Sequence, residues 1–126
     1  MAIPLAVVND DPTFLAFLGE TLSAQGYDPH LFRVDVANVR HILAAAPRAI
    51  VLDIPMARAA VHWQMFDLLV EGLADQPRPL IVCAPATAEV QARLATRTYA
   101  RTHVLPKPFE VIHLLEAVRT MLGGPP

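Results

Sequence analysis

The chain has a single cysteine, Cys83, among its 126 residues. One thiol excludes an internal disulfide framework and any zinc or iron–sulfur centre built on several cysteines. An excess of cations is missing too: 10 Lys and Arg stand against 12 Asp and Glu, for a net charge of −2. That balance argues against a broad basic face for nucleic acid and against a polybasic membrane anchor. No apolar run approaches the roughly 18 residues that cross a bilayer. The start, Met1-Ala2-Ile3-Pro4, lacks the basic stretch and long apolar run of a secretory signal. The 5 glycines are scattered and form no phosphate-cradling loop. What the chain does have is apolar residues, 54% of the total, enough for a buried core. The expectation is one soluble, cytoplasmic domain.

Two kinds of segment alternate along it. Ile3–Val8, Ala49–Leu52, Leu80–Cys83 and Thr102–Leu105 are short, apolar and β-branched, and they read as strands covered on both faces. Tyr27–Arg33 is a weaker strand, and Pro29 inside it favours a sheet edge. Between the strands lie stretches with helical spacing. Phe14, Leu15, Leu18 and Leu22 follow Pro12 and stop at Gly26; Val36, Val39, Ile42 and Leu43 close at Pro47. Further stripes run from about Val61 to Leu73, from Val90 to about Tyr99, and from Ile112 to Leu122. A strand–helix unit repeated five times predicts an α/β fold with a parallel sheet and helices on both faces.

Ligands of such a sheet sit beyond the carboxyl ends of its strands. There the sequence places Asn9-Asp10-Asp11, Asp53, Cys83-Ala84 and Pro106-Lys107-Pro108-Phe109. Acids at strand ends also cap helices or stay solvated, so the whole set carries the argument. Carboxylates brought together repel unless a cation joins them, and hard oxygen ligands suit Mg²⁺ or Mn²⁺. Lys107 adds a fixed positive charge where an anion such as phosphate would arrive. A carboxylate in that setting can attack a phosphoryl donor and become an acyl phosphate.

These residues, in order, resemble a two-component response-regulator receiver domain. The matching pieces are Val7-Val8-Asn9-Asp10-Asp11-Pro12, Gly26-Tyr27, Pro47 through Asp53, Met56, Pro79 through Ala84, and Leu105-Pro106-Lys107-Pro108-Phe109. The likeness runs from Leu5 to about Leu122, giving a receiver domain over 1–122 and a tail or linker stump at 123–126. It implies a flavodoxin-like five-stranded parallel sheet, order 2-1-3-4-5, flanked by five helices. Asp53 would be the phosphoacceptor, served by a histidine kinase or a phosphotransfer protein. Asp10, Asp53 and the backbone carbonyl of Pro55 would hold Mg²⁺, Asn9 acting through a water, and Lys107 would contact the phosphoryl group. The Lys107-Pro108 bond is usually cis in that family. The expected outlet is a protein target or a homodimer, through the last two strand–helix units, with no direct nucleic-acid or membrane partner. The domain would not be an enzyme beyond catalysing its own phosphotransfer and dephosphorylation.

The sequence departs from the family pattern at three places. Asn9 replaces a common acid, which weakens metal affinity. Cys83 replaces the Ser/Thr switch hydroxyl with a larger, poorer donor. Val104 replaces the usual aromatic, so the standard ring rotation cannot operate. Together they motivate the alternative of a pseudo-receiver, a phosphorylation-independent interaction module. A metal-dependent phosphatase commonly needs an acid two residues past its nucleophile, and Pro55 stands there. Trp63 reads as a helix anchor, and Tyr99 as a helix-end or loop residue. His30, His41, His62, His103 and His113 read as solvated, and Arg93, Arg97 and Arg101 as a solvated helix face.

Overall fold

The computed structural model describes residues 2–97 and 99–123. Its elements alternate as the apolar runs and stripes require: β1 (Ile3–Val8), α1 (Pro12–Ala24), β2 (Tyr27–Phe32), α2 (Asn38–Ala44), β3 (Ala49–Asp53), α3 (Ala60–Gly72), β4 (Leu80–Pro85), α4 (Ala88–Ala95), β5 (Thr102–Lys107) and α5 (Val111–Met121). The strands form one sheet in the order β2-β1-β3-β4-β5. Every neighbouring pair is parallel. This is the flavodoxin-like arrangement. Strand β2, with Pro29, pairs with β1 alone and lies at the edge, where a missing N–H costs the sheet least. Of the tail expected at 123–126, residues 124–126 lie outside the described residues.

Side chains of a strand point alternately to its two faces, so each central strand feeds two cores. Ala6 and Val8, Ile50 and Leu52, and Leu80 and Val82 pack with Ile42, Phe66, Leu69 and Val90. Their neighbours Leu5, Val7, Val51, Ile81 and Cys83 pack on the other face with Leu15, Leu18, Leu114 and Val118. That two-sided demand is why the strands read as continuous apolar runs.

Local signals set the helix ends. Pro12 opens α1, and the Asp11 carboxylate accepts hydrogen bonds from the N–H groups of Thr13 (2.9 Å) and Phe14 (3.2 Å). Gly26 follows at φ +92, a left-handed turn that glycine adopts without strain. Helix α4 is shorter than its stripe suggests. Thr87 caps its start and it ends at Ala95, so Tyr99 lies in the turn beyond. The three arginines therefore do not share a helix face: only Arg93 is helical, and Arg97 and Arg101 follow the helix.

Phe66 is almost fully buried at the centre of the α3 side of the sheet. Phe66→Ala should lower unfolding stability by about 3–5 kcal/mol, read as a reduced urea midpoint with an unchanged slope.

Candidate functional site

The carboxyl ends of β1, β3 and β5 border one cavity of about 530 Å³, lined by Asn9, Asp11, Phe14, Asp53, Lys107 and Phe109 among others. Asp53 is the last residue of β3, a strand hydrogen-bonded on both sides. Its carboxylate pairs with the Lys107 ammonium, which arrives from the end of β5. The two are 54 residues apart in sequence, and the sheet alone brings them together. The Lys107-Pro108 peptide is cis.

Around this pair the other residues take distinct places. Asn9 is buried, and its Oδ1 accepts the Asp11 N–H at 2.8 Å, so the amide shapes the turn that leads into α1. Asp11 serves as the cap of that helix. Asp10 is exposed at the rim, is not among the residues lining the cavity, and has Oδ2 3.8 Å from His62 Nε2. Pro55 lies in the half-buried loop between β3 and α3. Among the described residues, no three His, Cys, Asp or Glu side chains are grouped closely enough to cage an ion by themselves.

Cys83 is opposite Asp53 in the β3–β4 register. Burial, reinforced by the Asp53 charge and opposed by Lys107, pushes its thiol up to about 12. A thiol held protonated is a poor nucleophile and a weak hydrogen-bond donor. Val104 is half-buried and borders a second cavity, of about 610 Å³, together with Leu94, Tyr99 and Thr102. The Tyr99 hydroxyl donates to the Arg78 carbonyl (2.7 Å) and accepts the Arg78 N–H (2.9 Å), tying the turn after α4 to the approach to β4.

One histidine and the arginine series need correction, while His30, His41 and His113 are exposed as expected. His62 is not solvated: it is 8% exposed, because it shares a helix face with Phe66, Leu69 and Leu73. Burial lowers its pKa, against the opposing pull of Asp10 and Asp53. His113 accepts the Glu110 N–H on Nδ1 at 3.2 Å, closing the first turn of α5. Arg93 and Arg97 are half-buried and stack on the Trp63 ring, with Cζ 5.1 and 4.8 Å from its centroid. Arg97 also pairs with Asp67 of α3 at 3.0 Å. Trp63 is the anchor its sequence context suggests. Its indole N–H donates to the Met56 carbonyl at 3.3 Å, and Arg93 donates to the Ala57 carbonyl, so two groups hold the loop that follows Asp53.

No family model matches the chain. It is 31% identical over 122 residues to the response regulator MprA of Mycobacterium tuberculosis, covering 97% of this chain and 51% of that protein. MprA of Mycobacterium ulcerans gives the same values. The chain thus spans about half the length of the curated relatives it matches. Among solved structures, a response regulator receiver protein from Sinorhizobium medicae superposes with a TM-score of 0.75 at 21% identity, over 99% of this chain and 98% of that one. The chemotaxis protein CheY4 of Vibrio cholerae gives 0.76 at 16% identity, over 96% and 99%. Among the described residues no helix is long and apolar enough to cross a membrane.

The buried thiol generates a check on this geometry. Iodoacetamide at neutral pH should modify Cys83 in the native chain about a hundredfold more slowly than in the unfolded chain; equal rates would show the strand ends open to solvent. Because folding raises the thiol pKa, the stability that the neutral thiol allows is complete below the ordinary thiol range. It should be lost as pH climbs from there towards about 12. Thermal melts of Cys83→Ala should lack that part of the alkaline decline.

Proposed function

We propose that this chain is a receiver domain of the response-regulator type, in which Asp53 accepts a phosphoryl group from a histidine kinase or a phosphotransfer protein. The observation that carries the reading is the Lys107 ammonium on the Asp53 carboxylate at the open carboxyl edge of the sheet. A carboxylate oxygen attacks the phosphorus of a phosphohistidine, the P–N bond breaks, and its electron pair stays with the departing imidazole. Phosphoryl transfer asks a protein for positioning and charge neutralisation more than for covalent chemistry. Lys107 supplies both. It then has the new phosphoryl oxygens to pair with in place of the bare carboxylate.

The donor set suits a hard divalent ion such as Mg²⁺, which keeps several waters and needs few protein ligands. Asp10, Asp53 and the Pro55 carbonyl would hold it, Asn9 through a water, and when bound it would neutralise phosphoryl oxygen charge.

The added charge and acceptor oxygens would bias the packing of β4–α4 and β5–α5. With a buried thiol at Cys83 and no ring at Val104, the displacement has another route. It would pass through the loop after Asp53, whose Met56 and Ala57 carbonyls are held by Trp63 and Arg93. The responding surface would bind a downstream protein or a second copy. The domain signals and turns over no external substrate.

Acetyl phosphate with Mg²⁺ should raise the intact mass of the chain by one phosphoryl group, and Asp53→Asn should abolish the gain. Fluoroberyllate with Mg²⁺ should change the fluorescence of Trp63, the single tryptophan. Lys107→Ala should slow phosphorylation about a hundredfold, as loss of a preorganised cationic group does. If wild type and Asp53→Asn behave alike in mass and fluorescence, the reading fails, and partner binding would have to be independent of phosphorylation.

A further inference from the structure

Acids outnumber bases 12 to 10 in this chain, yet three arginines meet at one place. Arg48, Arg78 and Arg101 line a cavity of about 160 Å³, with Pro79 and Met121 among its other walls. Arg48 directly precedes β3, Arg101 directly precedes β5, and Arg78 stands two residues before β4. These three strands are neighbours in the sheet, so the cavity lies at its amino edge, the end opposite Asp53. Adjacent strands are about 4.8 Å apart, which puts all three guanidinium groups within reach of one bound group.

The backbone under each arginine is fixed. The Arg48 N–H donates to the Pro4 carbonyl at 2.8 Å, and the Arg101 carbonyl accepts the Leu80 N–H at 2.9 Å. Arg78 is held on both sides by the Tyr99 hydroxyl, which accepts its N–H and donates to its carbonyl. The side chains themselves are left open: Arg48 and Arg101 are exposed and Arg78 is half-buried. Among the described residues none of the three pairs with a carboxylate. Arg101 reaches the Met121 carbonyl at the end of α5, at 3.4 Å. A helix carboxyl end carries only about half a negative charge, so it offsets a small part of three full positive ones. Like charges so gathered repel, and an anion between them removes the repulsion.

We propose that this cavity binds a small phosphate-bearing ligand through its phosphoryl or pyrophosphoryl group. A carboxylate has two oxygens and one charge, which a single arginine fork satisfies. A terminal phosphoryl group has three acceptor oxygens and close to two charges, which call for several forks. Pockets that engulf a whole drug-sized ligand run to about 300–1,000 Å³. This smaller one suits the charged group alone, with the rest of the molecule in solvent. The site is separate from the Asp53 chemistry and stands whether or not Asp53 is phosphorylated.

The test titrates the full chain with pyrophosphate, inorganic phosphate and acetate at constant ionic strength, without divalent ions, following the arginine Nε–Hε resonances by NMR. Pyrophosphate should give saturable shifts at Arg48, Arg78 and Arg101, with phosphate weaker and acetate at least about tenfold weaker than pyrophosphate. Arg48→Gln and Arg78→Gln, on side chains that make no ion pair, should each cut pyrophosphate affinity about tenfold. Arg40→Gln, on the exposed side of α2, should change it less than about twofold. Shifts that rise linearly without saturation, that spread evenly over all arginines, or that centre on Lys107 would overturn the proposal. So would an affinity unchanged in both Arg48→Gln and Arg78→Gln.

Discussion

A carboxylate at the end of a strand that is covered on both faces needs a partner, because burying a lone charge costs far more than burying a paired one. Asp53 meets that condition through Lys107, with side-chain exposures of 14% and 30%. The rest of the site follows from it. The pair requires β3 and β5 to end at the same edge, which the parallel order supplies with β4 between them. It also requires the chain to bring an ammonium group back over the sheet, which the turn from β5 into α5 does. Under the proposed phosphorylation of Asp53, the same pair would make the site responsive, because the Lys107 ammonium would have to find new oxygens.

The surroundings of the pair are unusual in what they omit. A hydroxyl beside Asp53 and a rotating ring on β5 would offer one path outward, and this chain has a buried thiol and a valine instead. The loop after Asp53 is held from another direction. Trp63 binds the Met56 carbonyl, Arg93 binds the Ala57 carbonyl, and both Arg93 and Arg97 lie on the Trp63 ring. Helix α3 is thereby linked to α4 and the turn after it across the face of the sheet, by contacts that begin next to the end of β3.

Much of this was legible in the sequence. Apolar runs such as Ile50-Val51-Leu52 show strands buried on both sides, Pro29 marks the edge strand, and polar residues directly after the runs mark the ligand edge. Asp53 and Lys107 could be paired because strand ends converge by topology. Other features depend on contacts that periodicity cannot see. Arg93, Arg97 and Arg101 recur at helical spacing, yet the helix stops at Ala95 and two of the arginines are held by a ring 30 or more positions earlier in the chain. His62 could have been found, since its spacing to Phe66 and Leu69 places it on the buried stripe. Scatter among the histidines hid that face. Asn9 reads as a water-mediated ligand by position, and its side-chain oxygen, like that of Asp11, turns out to fold the backbone around itself.

The guanidinium–indole stack has a consequence for exchanging parts between proteins of this architecture. Residues 63, 93 and 97 behave as one unit. A chimaera that imported α4 alone from another protein would remove Arg93 from the indole and leave only Arg97, which follows the helix, and one that imported α3 alone would strand two cations without their ring. Helix α3 and residues 88–97 are therefore best exchanged together, since the ring and its two cations have to arrive as a set.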